Sequence, residues 1–344
     1  MKNFFYKISS KIKILPIDFF INITHQRILF PFYHCVADVV PVHIKYLYKI
    51  KSTQEFEKDL DFLLKTYEPI DFNGFLNKTT LGANKKKKAF LLSFDDGLSE
   101  FYDVVVPILI KKGVPAICFL NSAFVDNKDL FFRFKASIII DKLSGSNLNF
   151  STRKEINKLL TNCNVKFDND NSALLKINYS QRSVLDELAK IIEIDFVEYL
   201  QKYKPYLTSN QVEELIGKGF HFGAHSVDHP QYCDLSFDEQ MRQTTESIEF
   251  IKNAFGLDYS LFSFPFTDEN VSADFFAKIF ANDNAIADLT FGTAGLKKDS
   301  ARLNFQRIPL EVDNYSVRDI IYAEYYYYLL KAILGKNTIR RKFL

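Results

Sequence analysis

Apolar and polar positions along the chain alternate between the spacing of a strand and that of a helix. Residues 27–36, RILFPFYHCV, form an apolar and aromatic run that predicts a buried strand, and residues 54–67 place Phe56, Leu60, Leu63 and Leu64 at helical spacing. The pairing recurs downstream. KAFLLSF predicts a strand ending in the turn Asp95-Asp96-Gly97, LSEFYDVVVPILIKKG a helix with Pro107 inside it and Gly113 at its close, and VPAICFL the next strand. A helix over 208–217, a strand over 219–225, a helix over 236–255, a strand over 259–266 and a helix over 272–281 follow. Strands over 285–291 and 305–312 and a final helix complete the series. Such alternation predicts an α/β fold on a mainly parallel sheet, closed as a barrel or doubly wound. Residues 126–204 break the rhythm with helical patterns and no obvious strand, notably VLDELAKIIEIDFVEYLQKY, and read as a helical insertion. The chain thus divides into a basic segment over 1–26, the α/β unit over 27–316 including the insertion, and a C-terminal helix and basic tail over 317–344.

Composition narrows the class. A chain of 344 residues with 47% hydrophobic content can bury a large core. A formal net charge of +2 does not suggest a dedicated nucleic-acid protein, which needs a concentrated basic face, so no nucleic-acid partner is expected. The run Lys85 to Lys88 directly precedes the apolar stretch Ala89 to Phe94 and reads as a solvated loop flanking a strand. Cys35, Cys118, Cys163 and Cys233 show neither CxxC spacing nor the density of a disulfide-stapled domain, which fits a reducing, cytoplasmic compartment. Lys2, Lys7, Lys11 and Lys13 precede ILPIDFFINI, but Asp18 interrupts that apolar run and no small-residue cleavage site follows, so a signal peptide is not expected. No uncharged run approaches the roughly 20 residues needed to span a bilayer. Both ends, residues 1–30 and 318–344, are basic and aromatic, a composition suited to peripheral contact with an anionic membrane surface. The alternative is that the helix bearing Tyr325 to Tyr328 packs on the core, as apolar helix faces usually do.

Parallel βα folds gather catalytic side chains at the carboxyl ends of strands. Two groups of chemistry-bearing residues fall there. Asp95 and Asp96 end one predicted strand, and His225 and His229, in HSVDHP, end another. Alone, Asp95-Asp96-Gly97 is what any tight turn or helix N-cap favours. Neighbouring side chains leave a strand in opposite directions, however, which suits one carboxylate as a ligand and the other as a base. The two histidines have the spacing of a helical zinc pair, but Pro230 and Gly223 argue against a helix, leaving one at the strand end and one in the following turn. Two imidazoles and a carboxylate make a three-ligand site with room for water, suited to Zn²⁺ or another divalent first-row metal. The alternative is two hydrogen-bonded loop histidines; with six histidines in the whole chain, two in one turn speak against it.

Together SFDDG and HSVDHP resemble the first two signature motifs of the polysaccharide deacetylases, carbohydrate esterase family four. The resemblance runs in element order from about residue 28 to residue 312. It implies a distorted (β/α) barrel in which Asp95 is the catalytic base and Asp96, His225 and His229 bind the metal, with an N-acetylated glycan or lipid-linked sugar as the expected substrate. Phe264-Pro265-Phe266 is similar to the third motif, implying that the Phe266 amide helps hold the oxyanion. That motif normally opens with an arginine that orients the base, where this chain has Ser263; Arg307 either substitutes for it or is a surface arginine on a late strand. Typical members carry a general-acid histidine on a late strand, and none follows His229 here. Tyr33-His34-Cys35-Val36 resembles the corresponding strand of circularly permuted members, which implies His34 as the acid, facing the metal from the side opposite Asp95. Two rival readings remain: a non-haem iron oxygenase, disfavoured by the second carboxylate, and a catalytically inactive glycan-binding relative, disfavoured by retention of base, ligands and acid.

Overall fold

The computed structural model describes residues 5–6, 15–80, 87–145, 148–165, 171–281, 285–312 and 315–343. Eight strand segments line the centre: β1 (Pro31–Tyr33), β2 (Leu92–Phe94), β3 (Ala116–Leu120), β4 (His221–Ala224), β5 (Leu261–Ser263), β6 (Leu289–Gly292), β7 (Asn304–Gln306) and β8 (Ile308–Pro309). Their order is β7-β6-β5-β4-β3-β2-β1-β8, and each neighbouring pair is parallel. Only Arg307 separates β7 from β8, so both edges of the sheet belong to one stretch of chain. The Arg307 amide donates to the Gly292 carbonyl on β6 at 3.0 Å and the Ile308 amide to the Phe30 carbonyl beside β1 at 2.8 Å. The sheet thereby nearly closes into the expected distorted (β/α) barrel.

The period of two decides what faces inward. On the outer surface Leu92, Phe94, Ala116, Cys118, Leu120, Phe222, Ala224 and Phe262 pack in the main core beneath the surrounding helices. Alternate positions Leu91, Ile117, Phe119, Leu261, Leu289 and Phe291 fill the barrel at its amino end. Burying each of these large side chains stabilises the fold by about 1.5–3 kcal/mol, so the register is firmly specified. The inward row then continues toward the carboxyl end with Ser93 on β2, Asp95 just after it, His225 after β4 and Ser263 on β5, where apolar filling gives way to polar groups.

The outer helices start and stop where their sequences dictate. Ser52, Thr208, Ser236, Ser272 and Ser316 each cap a helix with the side-chain oxygen on a backbone N–H. The predicted helix over 98–113 opens with a wide π turn over Phe101–Val105 before Val106–Lys112, which puts Pro107 in the first helical turn, where its missing N–H costs nothing. In the insertion, 184–203 is two helices, Ser183–Ile191 and Phe196–Tyr203; Asp195 caps the second by accepting from the Val197 and Glu198 amides. Apolar periodicity could not show that break, because both helices bury their faces in the same core of the insertion, which also contains Phe131, Phe134, Leu174 and Tyr206. The predicted strand over 305–312 is likewise broken, at Arg307.

The ends pack on the barrel. Helix Val317–Ile333 buries Ile320, Ile321, Tyr325 and Tyr328, and Phe20 of helix Ile17–Thr24 meets the rings of Tyr322, Tyr325 and Tyr326. In the tail, Thr338–Ile339 pairs with Lys298–Asp299, and Arg341 is buried against Asp268 and Asp299, so this basic residue is folded in. Lys87 and Lys88 pair with Glu68 at 3.5 Å and Asp18 at 2.6 Å, beside the strand Ala89–Phe90. Lys85, Lys86 and the N-terminal lysines Lys2, Lys7, Lys11 and Lys13 lie outside the described residues. None of the four cysteines is in a disulfide. No helix among the described residues is long and apolar enough to cross a membrane.

Candidate active site

A cavity of about 480 Å³ opens at the carboxyl ends of the strands and is lined by His34, Asp95, Asp96, His229, Phe266 and Glu311 among others. A larger cleft, about 700 Å³, is lined by residues at the amino ends of the strands, including Arg27, Lys87 and Arg302, where parallel barrels do not place catalytic groups.

Backbone geometry sets the site. Asp96, two residues beyond β2, has φ +71° and Gly97 φ +61°. A Cβ on Gly97 would lie 2.5 Å from the end of the Leu120 side chain, so glycine favours both the turn and the close packing on β3. Ser226, His229 and Phe266 also adopt left-handed backbone, at φ +68°, +63° and +55°. Four non-glycine residues in this sparsely populated region sit within the three motifs; each costs about 1–3 kcal/mol, and such conformations cluster at functional sites.

Asp96, His225 and His229 come together with their ligand atoms all within 4.8 Å of one another, and all three residues are buried. Asp96 Oδ1 lies 3.2 Å from His229 Nε2 and 3.6 Å from His225 Nε2. Ligands of a tetrahedral zinc ion at its usual bond lengths stand roughly 3.3–3.5 Å apart, so the set fits a divalent cation. Asp96 Oδ1 is buried without a hydrogen-bond partner among the described residues, which in a carboxylate calls for a cation. His225 Nδ1 lies 2.8 Å from the Ser263 carbonyl; donating there leaves Nε2 with a free lone pair on the Asp96 side. Burial pushes the His225 imidazole down to about 4, which keeps it neutral and able to ligate. Burial works against ionisation of Asp96, but His229, with His34, outweighs it and holds the carboxyl well below the usual range.

Asp95 faces a different partner. Arg307 is fully buried and grips it through both terminal nitrogens, Nη1 to Oδ1 and Nη2 to Oδ2, each at 2.7 Å. The guanidinium also donates to Ser263 Oγ at 2.5 Å and Ser93 Oγ at 3.1 Å, and lies 4.2 Å from the Phe32 ring centroid. Of the two placements left open for Arg307, the surface one is overturned. The arginine enters from the break between β7 and β8 and occupies the space that Ser263 leaves beside Asp95. Burial alone would raise the Asp95 carboxyl; the Arg307 charge and its hydrogen bonds outweigh it and hold the group below its usual range.

His34 follows β1 and lines the same cavity. Its strand lies between the last strand and the one leading to Asp95, hydrogen-bonded to the latter through the Asp95 amide and the Tyr33 carbonyl at 3.0 Å, so acid candidate and base candidate arrive on neighbouring strands. Sequence reading missed Glu311, just beyond β8. Its carboxylate accepts from the His34 and Cys35 amides at 2.8 and 2.9 Å and lies 2.7 Å from His34 Nδ1. Burial favours the neutral imidazole, but Glu311 prevails and pushes His34 up to about 9. The one available signal was a carboxylate closing an apolar strand, IPLE. Phe266 sits at the mouth, 38% exposed, its ring 4.7 Å from that of His229. The insertion supplies Phe131, Arg133 and Leu175 to the cavity wall, with the Phe131 ring 4.3 Å from that of His229; nothing in its sequence marked these.

Comparison with known proteins points the same way. The family model for polysaccharide deacetylase matches residues 82–279, more than half of the chain. A search of curated proteins finds no match. Among solved structures, the chain resembles the deacetylase PplD of Streptococcus pyogenes in complex with acetate, at a TM-score of 0.54 and 16% identity over 86% of this chain and 97% of that one. It also resembles IcaB from Ammonifex degensii, at a TM-score of 0.52 and 14% identity over 86% and 97% of the two chains. For a polysaccharide deacetylase from Bacillus cereus the TM-score is 0.51 at 12% identity, over 86% of this chain and 68% of that one. These likenesses establish the barrel, and with the family match over both DDG and HSVDH stretches the chain belongs to the polysaccharide deacetylase family.

Proposed function

We propose that the protein is a metal-dependent hydrolase that removes an N-acetyl or similar acyl group from a sugar of a glycan or glycolipid. The observation that carries this reading is the convergence of Asp96, His225 and His229 beside a cavity whose wall carries Asp96 and His229 together with Asp95, gripped by Arg307, and His34, paired with Glu311. A bound divalent ion, zinc or another first-row metal, would supply Lewis-acid polarisation of the amide carbonyl and acidify a water molecule. Asp95, fixed in orientation by Arg307, takes a proton from the attacking water as its oxygen adds to the carbonyl carbon. The Phe266 amide, turned by its left-handed backbone, donates to the oxygen on which charge develops. His34, charged through Glu311, gives its proton to the departing nitrogen as the C–N bond breaks, yielding acetate and a free amine.

An inactive glycan-binding relative would have no use for a buried arginine fork on the base or a carboxylate on the acid, which favours the enzyme. Lipid-linked substrates and peripheral membrane contact form part of the proposal, supported by exposed Leu15, Phe19 and Ile23 at one end and Ile333 and Leu334 at the other. The test is acetate release from a panel of N-acetylated glycans, with and without chelator. Release that the chelator abolishes and added zinc restores supports the reading; release indifferent to chelator refutes the metal role.

A further inference from the structure

One charge on the cavity wall has no part in the chemistry above. Arg133 stands in the first turn of helix Phe132–Ser144, and its guanidinium carbon lies 5.6 Å from the Phe266 ring centroid and 5.3 Å from that of Phe132. Since Phe266 packs on His229, the cation is about one aromatic ring away from the ligand cluster. Its one hydrogen bond among the described residues runs from Nη1 to the Leu175 carbonyl, and Nε is buried without a partner. Burial alone lowers its pKa, with no carboxylate opposing.

The carboxylates facing the cavity are already committed to the catalytic groups and the candidate metal site. Arg307 holds Asp95, His34 meets Glu311, and Asp96 faces the two histidines. The charge of Arg133 is therefore surplus to the protein's own balance. Its place in a first helical turn adds to the cost, because the macrodipole there is positive and favours anions. A half-buried guanidinium with free donors, at the positive end of a helix and flanked by Phe132 and Phe266, is matched to a planar or tetrahedral oxyanion.

We infer that Arg133 recognises an anionic group on the substrate, so that the cavity takes an N-acylated sugar carrying a phosphate or a carboxylate rather than a neutral glycan. This deepens the hydrolase reading and rests on it for the placement of the sugar. The aromatic rings would pack on the apolar face of the sugar while the guanidinium fork meets the anion.

Calorimetric titration of the metal-loaded full-length protein with N-acetylglucosamine, its 1-phosphate and N-acetylmuramic acid tests the inference. At least one anionic sugar should bind roughly 10- to 100-fold more tightly than the neutral one, the span of a charge-assisted hydrogen bond. Preference for the 1-phosphate identifies a phosphate ester, and preference for the muramic acid a carboxylate. The preference should collapse in Arg133→Gln and survive in part in Arg133→Lys, which keeps the charge without the fork; circular dichroism establishes that each variant is folded. Equal affinities in the wild type, or a preference that survives intact in folded Arg133→Gln, would overturn it; if that variant does not fold, undiminished preference in Arg133→Lys overturns the fork. Wild-type hydrolysis of 4-nitrophenyl acetate separates the two readings. A protein inert toward the ester yet selective for anionic sugars sinks the hydrolase alone, whereas one active on the ester and indifferent to sugar charge sinks only the role of Arg133.

Discussion

Replacing Arg307 by methionine tests how the base is held. The wild-type pair is fully buried and bidentate at 2.7 Å on both arms. Removing one member of such a pair leaves an uncompensated buried charge and costs about 3–5 kcal/mol. At about 2 °C per kcal/mol, appropriate to a large domain, the Tm should fall by roughly 6–10 °C. The pH profile should move as well. Arg307 is the largest influence holding the Asp95 carboxyl down, and burial opposes it, so without Arg307 the folded-state pKa rises. The sign follows from linkage. A depressed carboxylate contributes stability above its unfolded pKa of about 3.9, lost as pH falls through the folded value, and the variant loses that contribution. The acid limb of kcat/KM should therefore shift to higher pH, measured with metal-loaded enzyme on an N-acetylated glycan that the wild type cleaves. Arg307→Met with Asp95→Asn should recover most of the stability, because no lone charge is left buried, while turnover is lost with the base. A wild-type acid limb in Arg307→Met, or a double variant no more stable than the single one, would refute the reasoning.

The remaining expectations address each role in turn. Asp95→Asn should abolish turnover while elemental analysis finds metal content nearly unchanged; loss of metal there would mean that the two aspartates have exchanged roles. His229→Ala should lose metal, and zinc at 100 times its Kd should stabilise the wild type by about 2.7 kcal/mol in thermal unfolding but not this variant. His34→Ala should depress amide cleavage strongly and spare an activated ester whose leaving group needs no proton; equal losses on both would return His34 to a packing role. Glu311→Gln removes what lifts His34 to about 9, and burial then dominates, so the basic limb of the amide profile should move to lower pH. The ion pair's contribution to stability, present below the unfolded histidine pKa of about 6.5 and lost as pH rises through about 9, should vanish in the same variant.

The sequence by itself determined the local chemistry and the order of the elements. Strand and helix alternation, the DDG turn and the HSVDHP turn are local patterns whose period and turn residues carry their own physical reasons. They sufficed to place Asp95, Asp96, His225 and His229 at strand ends and to imply the barrel through the family resemblance. Only the tertiary structure decided which distant side chains meet. Arg307 is buried against Asp95 because a break of one residue lets a single stretch of chain close both edges of the barrel, and no periodicity encodes that closure. Glu311 reaches His34 across 277 positions, and Phe131 and Arg133 reach the cavity from an insertion whose own apolar pattern concerns a separate core. Local propensity acts over a few residues, whereas these contacts depend on how the ring of strands closes and how the insertion folds over its mouth.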